Sequence, residues 1–382
     1  MSLPAEMIFF VYKARRMNAL GNDREDIAFT TVDVDIPWLN AYSGCVLMRD
    51  GRIALVPYLA RTVGIFDPAT NEYSTVASAP GKHAYSGGVL LRDGRVLFVP
   101  GNETTICIFD PTTNACSTIA GLPGNFAYAG GVLLRDGRVV FTPYNSRAVG
   151  IFDPATNEYS EIAGAPGNAA FREGVLLRDG RVLFVPYATK RVGVFDPTTN
   201  EYRETADLIE RYSYRGGVLL SDGRVVFVPH NARTVGIFDP AVNVYSTVAY
   251  VGFRNITYPI ASYAGGGLLP DGRVAFIPYG APAIGIFDPV TNEFNTVTSG
   301  PHGAFAYSGE VLLPDGRVIF VPYNKANIGI LSLSDEKARA RALLRTEAVK
   351  EELIAAAWHP KRMSDWCLDT DERRELAEMW RC

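Results

Sequence analysis

The chain has 382 residues, 47% hydrophobic and 20% charged, a composition that excludes a disordered, collagen-like or highly charged chain. Its 37 Lys and Arg against 41 Asp and Glu leave a net charge of -4, so no excess of positive charge is available for phosphates and no nucleic-acid partner is expected. Thirty-six Gly, 24 Pro, 19 Tyr and 20 Phe point to many short strands joined by tight turns.

Residues 1–26 read as an N-terminal arm. Their longest apolar run, Met7 to Tyr12, is too short to span a bilayer, and it lacks both a preceding basic segment and a following cleavage site. This predicts a soluble, unexported, cytoplasmic protein without a membrane partner. The five cysteines, at 45, 107, 116, 367 and 382, are odd in number and form no CxxC pair. Reduced thiols are expected, with Cys107 and Cys116 as an incidental buried pair on neighbouring strands.

From residue 27 to residue 333 the chain repeats. Asp-Gly-Arg occurs seven times, its aspartate at Asp50, Asp93, Asp136, Asp179, Asp222, Asp271 and Asp315, at intervals of 43, 43, 43, 43, 49 and 44. A proline stands seven residues after each aspartate, and in six units an Asp-Pro turn begins ten residues later. In the second unit Gly87 to Leu91 and Val96 to Pro100 flank Asp93-Gly94, a hairpin signal because glycine tolerates positive φ. A third strand ends at Phe109, and Cys116 to Ala120 forms a fourth. Four antiparallel strands of this length make one propeller blade, and seven must pack around an axis for each to cover its neighbour. The seventh unit lacks its outer strand. Ala28-Phe29-Thr30-Thr31-Val32 matches Glu72-Tyr73-Ser74-Thr75-Val76 and is predicted to supply it, closing the ring. The expected fold is therefore an all-β, seven-bladed propeller of four-stranded antiparallel blades over 27–333.

The third and fourth strands, as in Ile65-Phe66-Asp67-Pro68-Ala69-Thr70-Asn71-Glu72-Tyr73, resemble the Kelch repeat of the galactose-oxidase type, with its Tyr-Asp-Pro turn followed by an aromatic. The resemblance covers 27–333. It departs where Kelch units carry Gly-Gly and this chain has Pro-Tyr, as in Pro57-Tyr58. It implies a propeller and leaves function open.

None of the glycines falls in residues 334–382. Ser334 suits a cap, Ala338 to Trp358 is rich in helix formers, and a second helix is expected from Thr370 to Trp380. This α-helical C-terminal tail is expected to dock a protein partner through Trp358, Trp366 and Trp380. The stretch from Ala357 to Arg362 and on through Trp366 to Asp369 resembles tails of proteins from large DNA viruses of protists, which implies a viral or virion-associated protein in the host cytoplasm or the virion.

Seven units in one chain allow an internal comparison: a residue found in every blade serves the blade, and a residue found in one or two is a candidate for ligand contact. The Asp-Gly-Arg and Asp-Pro turns and the aromatic eight residues before each aspartate (Tyr42, Tyr85, Tyr128, Phe171, Tyr214, Tyr263, Tyr307) recur throughout and read as structural, the aromatic as a wedge between blades. Immediately after it, five blades carry a small residue, but blades four and five carry Arg172 and Arg215. Glu173 replaces the next glycine in blade four, and Glu310 replaces the one after in blade seven. After the recurrent proline, Tyr58, Tyr144, Tyr187, Tyr279 and Tyr323 give way to Gly101 and His230 in blades two and five. The long connection between blades five and six contains Arg254 and Tyr258. Arg172, Arg215 and Arg254, with His230 nearby, are predicted to form a cationic rim for an anionic group, with Glu173 either neutralising the arginines or tuning them.

The four histidines are too scattered for a metal site, and neither a cofactor nor a nucleophile motif is indicated. Glu173 and Glu310 are a candidate glycosidase pair, but blades four and seven lie nearly across the ring, which argues against it. The expected function is a non-catalytic binding or scaffold propeller that holds a protein partner through its loop face and tail. The alternative is a lectin-like carbohydrate site using the Tyr and Asn ring (Asn102, Asn145, Asn231, Asn324), or a glycoside hydrolase, at the channel mouth.

Overall fold

The computed structural model describes residues 27–36, 39–207, 213–251, 261–297 and 305–333. These form seven four-stranded antiparallel sheets, the seven-bladed propeller that the repeat predicts. The arm over 1–26, the Arg254 and Tyr258 segment, and the tail with Trp358, Trp366 and Trp380 lie outside the described residues.

Local chemistry makes each unit a blade. In the first hairpin Asp50 Oδ1 accepts the Arg52 amide at 3.0 Å while Asp50 Oδ2 accepts its guanidinium at 2.6 Å, and Gly51 takes the left-handed φ of 87° that closes the turn. The same self-pairing of Asp and Arg recurs in all seven blades. At the outer turn Asp67 Oδ1 accepts the Ala69 amide at 2.8 Å, and Asn71 sits at φ 61°, a conformation asparagine tolerates better than most residues. Both recurring motifs thus build the turns of the blades, the structural part the repeat implies for them.

The second strand of every blade is buried along its whole length, as in Ile53–Pro57 and Val318–Pro322. Each apolar cluster spans two blades: Val46, Val56 and Ile65 of blade one pack with Tyr85, Phe98 and Phe109 of blade two. The recurrent aromatic is the wedge the repeat implies, and Tyr42, Tyr85, Tyr128, Phe171, Tyr214, Tyr263 and Tyr307 are all buried. In six blades a third-strand glycine lies against the buried innermost-strand aromatic, and in four of them, at Gly193, Gly236, Gly285 and Gly329, the outer-strand ring covers it as well. A Cβ on Gly329 would come 2.9 Å from the Phe29 ring and 3.1 Å from Tyr307. In blade two Cys107 and Cys116 occupy those two places as free thiols in mutual hydrogen bonding.

Ring closure follows the predicted register. Strand Ile27–Asp33 pairs antiparallel with Asn327–Leu333, Phe29 facing Leu331 and Asp33 facing Asn327, so the last blade, Tyr307–Leu312 through Asn327–Leu333, gains its fourth strand from the other end of the chain. Phe29 packs against Tyr307 and Phe320 at centroid distances of 6.4 and 5.7 Å. It has no hydroxyl to offer the Tyr307 phenol, which instead donates to Asn327 Oδ1 at 2.8 Å. Phe29→Ala is expected to cost about 3 kcal/mol in reversible denaturation, and removal of residues 1–33 to abolish the single cooperative transition, because it strips an edge of its hydrogen bonds. A truncated chain that unfolds at the wild-type midpoint would show that closure carries no stability.

Candidate functional site

Each innermost strand shows a register irregularity just after its buried aromatic. Such a bulge releases one residue from the ladder and re-aims its side chain. In blade four the pairing steps from Phe171–Pro186 to Glu173–Val185 and skips Arg172; in blade five it steps from Tyr214–Pro229 to Gly216–Val228 and skips Arg215. The two arginines are therefore the released residues of adjacent blades. The loops between second and third strands lie at the same end, tied to the next blade by bonds such as the Ala84 amide to Tyr58 O at 3.0 Å and the Ala306 amide to Tyr279 O at 2.8 Å.

At this end a cavity of about 250 Å³ opens on the axis, lined among others by Tyr58, Arg172, Glu173, Arg215, Tyr279 and Glu310. Its rim is aromatic. Tyr323 lies 6.4 Å from Tyr58 and 5.4 Å from Tyr279, and Tyr144 lies 6.3 Å from Tyr187, ring centre to ring centre. The gap left by Gly101 in blade two is occupied by His83, 4.5 Å from Tyr58 and 5.9 Å from Phe126. The arginines pack on this rim, Arg172 at 5.0 Å over Tyr144 and 5.5 Å over Tyr187, Arg215 at 4.5 Å over Tyr279, where the ring faces attract the guanidinium charge. Arg172 Nε is buried without a hydrogen-bond partner. Burial, and then the charge of Arg172, holds the Arg215 pKa below the usual arginine range. None of the ion pairs formed by described residues includes either arginine.

His230 belongs to the rim between Tyr187 and Tyr279, at 5.7 and 6.0 Å. It is buried, and its Nδ1 donates to Tyr263 O at 2.8 Å. Burial, with the Arg215 charge beside it, pushes its pKa down to about 3, so it is a neutral part of the wall and adds no charge to the cationic rim.

The two glutamates correct the expectation drawn from blade order. Blades four and seven are well separated around the ring, yet the side chains lean toward each other over blades five and six. Glu173 lies across Gly216, where a Cβ would meet its Oε2 at 3.0 Å, and the Glu310 carboxylate fills the place that a Gly265 side chain would take. The amide of Gly217 donates toward Glu173 and that of Gly266 toward Glu310. Burial raises both carboxyls, Glu173 to about 8 with a further push from the Glu310 charge, and Glu310 to about 7. Glu173 therefore does not neutralise the arginines as an ion-pair partner. Arg215 lowers both carboxyls through space, from a separate tier.

One residue of this site escaped the sequence reading. The contact position of the innermost strand is Val46, Val89, Val132, Val175, Val218 and Val311 in six blades but Gly267 in blade six. Elsewhere this valine packs over the neighbouring blade's glycine, as Val46 does over Gly88 and Val175 over Gly217. A Cβ on Gly267 would lie 3.7 Å from Glu310 Cγ and 3.4 Å from Val318. The valine is thus missing in the one blade that faces Glu310. The same within-chain comparison that found Glu310 would have found Gly267, had the packing partner been known. Two of the four asparagines of the lectin-like reading are occupied otherwise: Asn145 accepts from the Ala169 amide at 3.1 Å and donates to Asn125 O at 3.0 Å, and Asn231 accepts from the Ala261 amide at 2.9 Å.

No protein-family model matches the chain, and no curated protein sequence does. Among solved structures it is similar to a streptogramin B lyase, with a TM-score of 0.69 at 17% identity over 82% of this chain and 100% of that one. A catalytically inactive virginiamycin B lyase from Staphylococcus aureus, solved with quinupristin, gives 0.65 at 16% over 80% and 99%. The WD40 propeller domain of Doa1 gives 0.61 at 14% over 81% and 97%. At these identities the likeness shows the propeller fold alone.

Two outcomes test the site as built. Gly267→Val is expected to cost about 1–3 kcal/mol because its γ-methyls press into the Glu310 stem, and much less in the Glu310→Gly background, which restores the pairing of the other blades; additive costs in that double-mutant cycle would show that the two residues do not share space. Because the folded protein holds both carboxyls protonated to higher pH than the unfolded chain does, their contribution to stability is full below the unfolded carboxyl pKa and is lost as pH rises from about 4.5 to about 8. Glu173→Gln/Glu310→Gln removes that fall, so the variant should gain on the wild type between about pH 5 and about pH 8 in denaturant titrations. Parallel curves would show that the pair does not titrate in this window. His230, depressed from about 6.5 to about 3, contributes in the opposite sense as pH falls below about 6.5, and because it is present in both proteins it cancels in the difference.

Proposed function

We propose that this protein is a binding propeller whose channel mouth captures an anionic group, a carboxylate or phosphate, between Arg172 and Arg215. One observation carries the reading: two guanidiniums on adjacent bulges line one cavity without an ion-pair partner among the described residues. Two like charges brought together out of water are costly, and an anion that accepts hydrogen bonds from both turns that cost into affinity. The tyrosine rim excludes water around the captured group and gives the ligand flat apolar walls.

The scaffold role read from the loops and tail fits the same mouth, since an acidic side chain of a protein partner presents the same carboxylate. Capture of partners with and without residues 334–382 separates those held by the tail from those held by the mouth. A glycoside hydrolase is a second reading, favoured by the convergence of Glu173 and Glu310; release of aryl alcohols from aryl glycosides, abolished by Glu173→Gln or Glu310→Gln, is its signature.

For the main reading, small carboxylates and phosphates are screened by thermal shift, and affinities are measured by calorimetry at two salt concentrations. Arg172→Ala and Arg215→Ala are each expected to weaken binding by roughly tenfold, about 1.4 kcal/mol, and to flatten its salt dependence. Unchanged affinity and unchanged salt dependence in both variants would remove the anion site.

A further inference from the structure

Arg172, Glu173, Arg215 and Glu310 line one cavity, and each departs from the residue that most other blades carry at its position. They form two tiers. The arginines come from the bulge position directly after the buried aromatic; Glu173 stands one residue further along its strand, and Glu310 two. The upper tier is held against tyrosine faces, the lower against the amides of Gly217 and Gly266, and no ion pair joins them. The lower tier is built into the packing, because Gly267 replaces the valine that would otherwise fill the space of the Glu310 stem.

This arrangement has a direction. A ligand bearing only negative charge gains from the arginines and loses to the carboxylates just below them. A ligand bearing only positive charge meets the reverse. A molecule with both charges lies along the field and satisfies both tiers. Building on the anion site argued above, we propose that the mouth is a zwitterion site, in which Arg172 and Arg215 hold a ligand's carboxylate and Glu173 and Glu310 hold its ammonium group. The ligand class is a small amino acid or an amino-acid derivative with a free primary amine. Among the described residues no group of three or more His, Cys, Asp or Glu is placed to hold a metal ion, and two carboxylates suit an ammonium, which needs few acceptors, better than calcium or magnesium, which take six or more oxygen ligands. Ammonium binding draws both carboxyls into the ionised state, so the proton that burial keeps on the pair is released to solvent.

The test uses the full chain and seven probes: magnesium, calcium, acetate, methylammonium, glycine, β-alanine and 4-aminobutyrate, the last three increasing the span between opposite charges. Binding is followed by calorimetry in two buffers of different ionisation enthalpy, for the wild type, Glu173→Gln/Glu310→Gln and Arg172→Ala/Arg215→Ala, with near-ultraviolet circular dichroism confirming that each variant keeps its packing. At least one amino acid is expected to bind roughly tenfold tighter than acetate and than methylammonium, with release of about one proton. In the glutamine variant that preference and the proton release should vanish while acetate binds as well as before or better. In the arginine variant acetate binding should be lost. Acetate that binds in an arginine-dependent way but no more weakly than every amino acid would overturn the zwitterion site and leave the anion site standing. Acetate binding that is absent or indifferent to the arginines would overturn the anion reading beneath it. Methylammonium, magnesium or calcium binding to the glutamates with no gain from a linked carboxylate would overturn the proposal in favour of a cation site.

Discussion

The hub of the ring is a contact between backbones. A Cβ on Gly87 would stand 3.1 Å from the Gly130 Cα, one on Gly216 would stand 2.9 Å from the Gly265 Cα, and one on Gly309 would stand 3.1 Å from the Gly44 Cα. Innermost strands of adjacent blades meet with no room for side chains between them. That approach brings the valines of one blade over the glycines of the next and lets the second strands be buried on both faces. It also fixes what a non-glycine residue near the axis must do: lie along the ring over a neighbouring glycine, or have a neighbour removed. Glu173 takes the first course over Gly216, and Glu310 takes the second with Gly267.

The fold was legible because seven copies of one pattern leave little freedom. Asp-Gly-Arg punctuates all seven blades and Asp-Pro-x-x-Asn six of them, for reasons of turn chemistry that a single chain displays again and again, and the match of Ala28–Val32 to the outer strands predicted which strand closes the ring. The site was legible only as departures from that pattern. Arg172, Arg215, Glu173 and Glu310 stand out in the sequence, but their convergence does not, because blade order gives the position of a Cα around the ring and says nothing of which way a four-atom side chain leans. Glu173 leans toward blade five and Glu310 back toward blade six, so the separation inferred from counting blades was an overestimate. The charge on His230 was equally hidden, since a rim histidine next to arginines reads the same in sequence whether it is protonated or, as its burial beside the Arg215 charge dictates, neutral.

The opposite charges in the mouth are close enough to feel one another and too constrained to join. An arginine released at a bulge is steered toward the rim, where tyrosine faces replace part of the hydration it loses. A carboxyl one or two residues further along the strand is steered into the ring, where backbone amides do the same. Collapse into ion pairs would require Arg215 to leave Tyr279 and the carboxyls to leave Gly217 and Gly266. Desolvation charges both sides for that rearrangement before any Coulomb gain appears. The carboxyls respond by retaining protons into the neutral range, which lowers the charge held in the apolar hub.

That response makes the mouth responsive to what enters it. A hub with permanently paired charges presents a neutral surface, and a hub without the glutamates presents only a cationic patch. With one proton distributed over two carboxyls, the lower tier offers a hydrogen-bond donor and acceptors to a neutral group and full negative charge to a cation. The asymmetry of the ring then sets the stoichiometry. Tyrosines recur around the rim, but the arginines occur only in blades four and five and the glutamates only in blades four and seven, all converging on the side of the channel bounded by blades five and six. Seven equivalent sugar pockets would need seven equivalent polar sets, whereas Asn145 and Asn231, members of the one polar ring that recurs in several blades, are spent on tying loops together. On the binding reading proposed here, a repeated scaffold carrying a single lopsided constellation would take one ligand per ring, and because its four charged groups come from three blades, the closed ring and no blade alone would hold it.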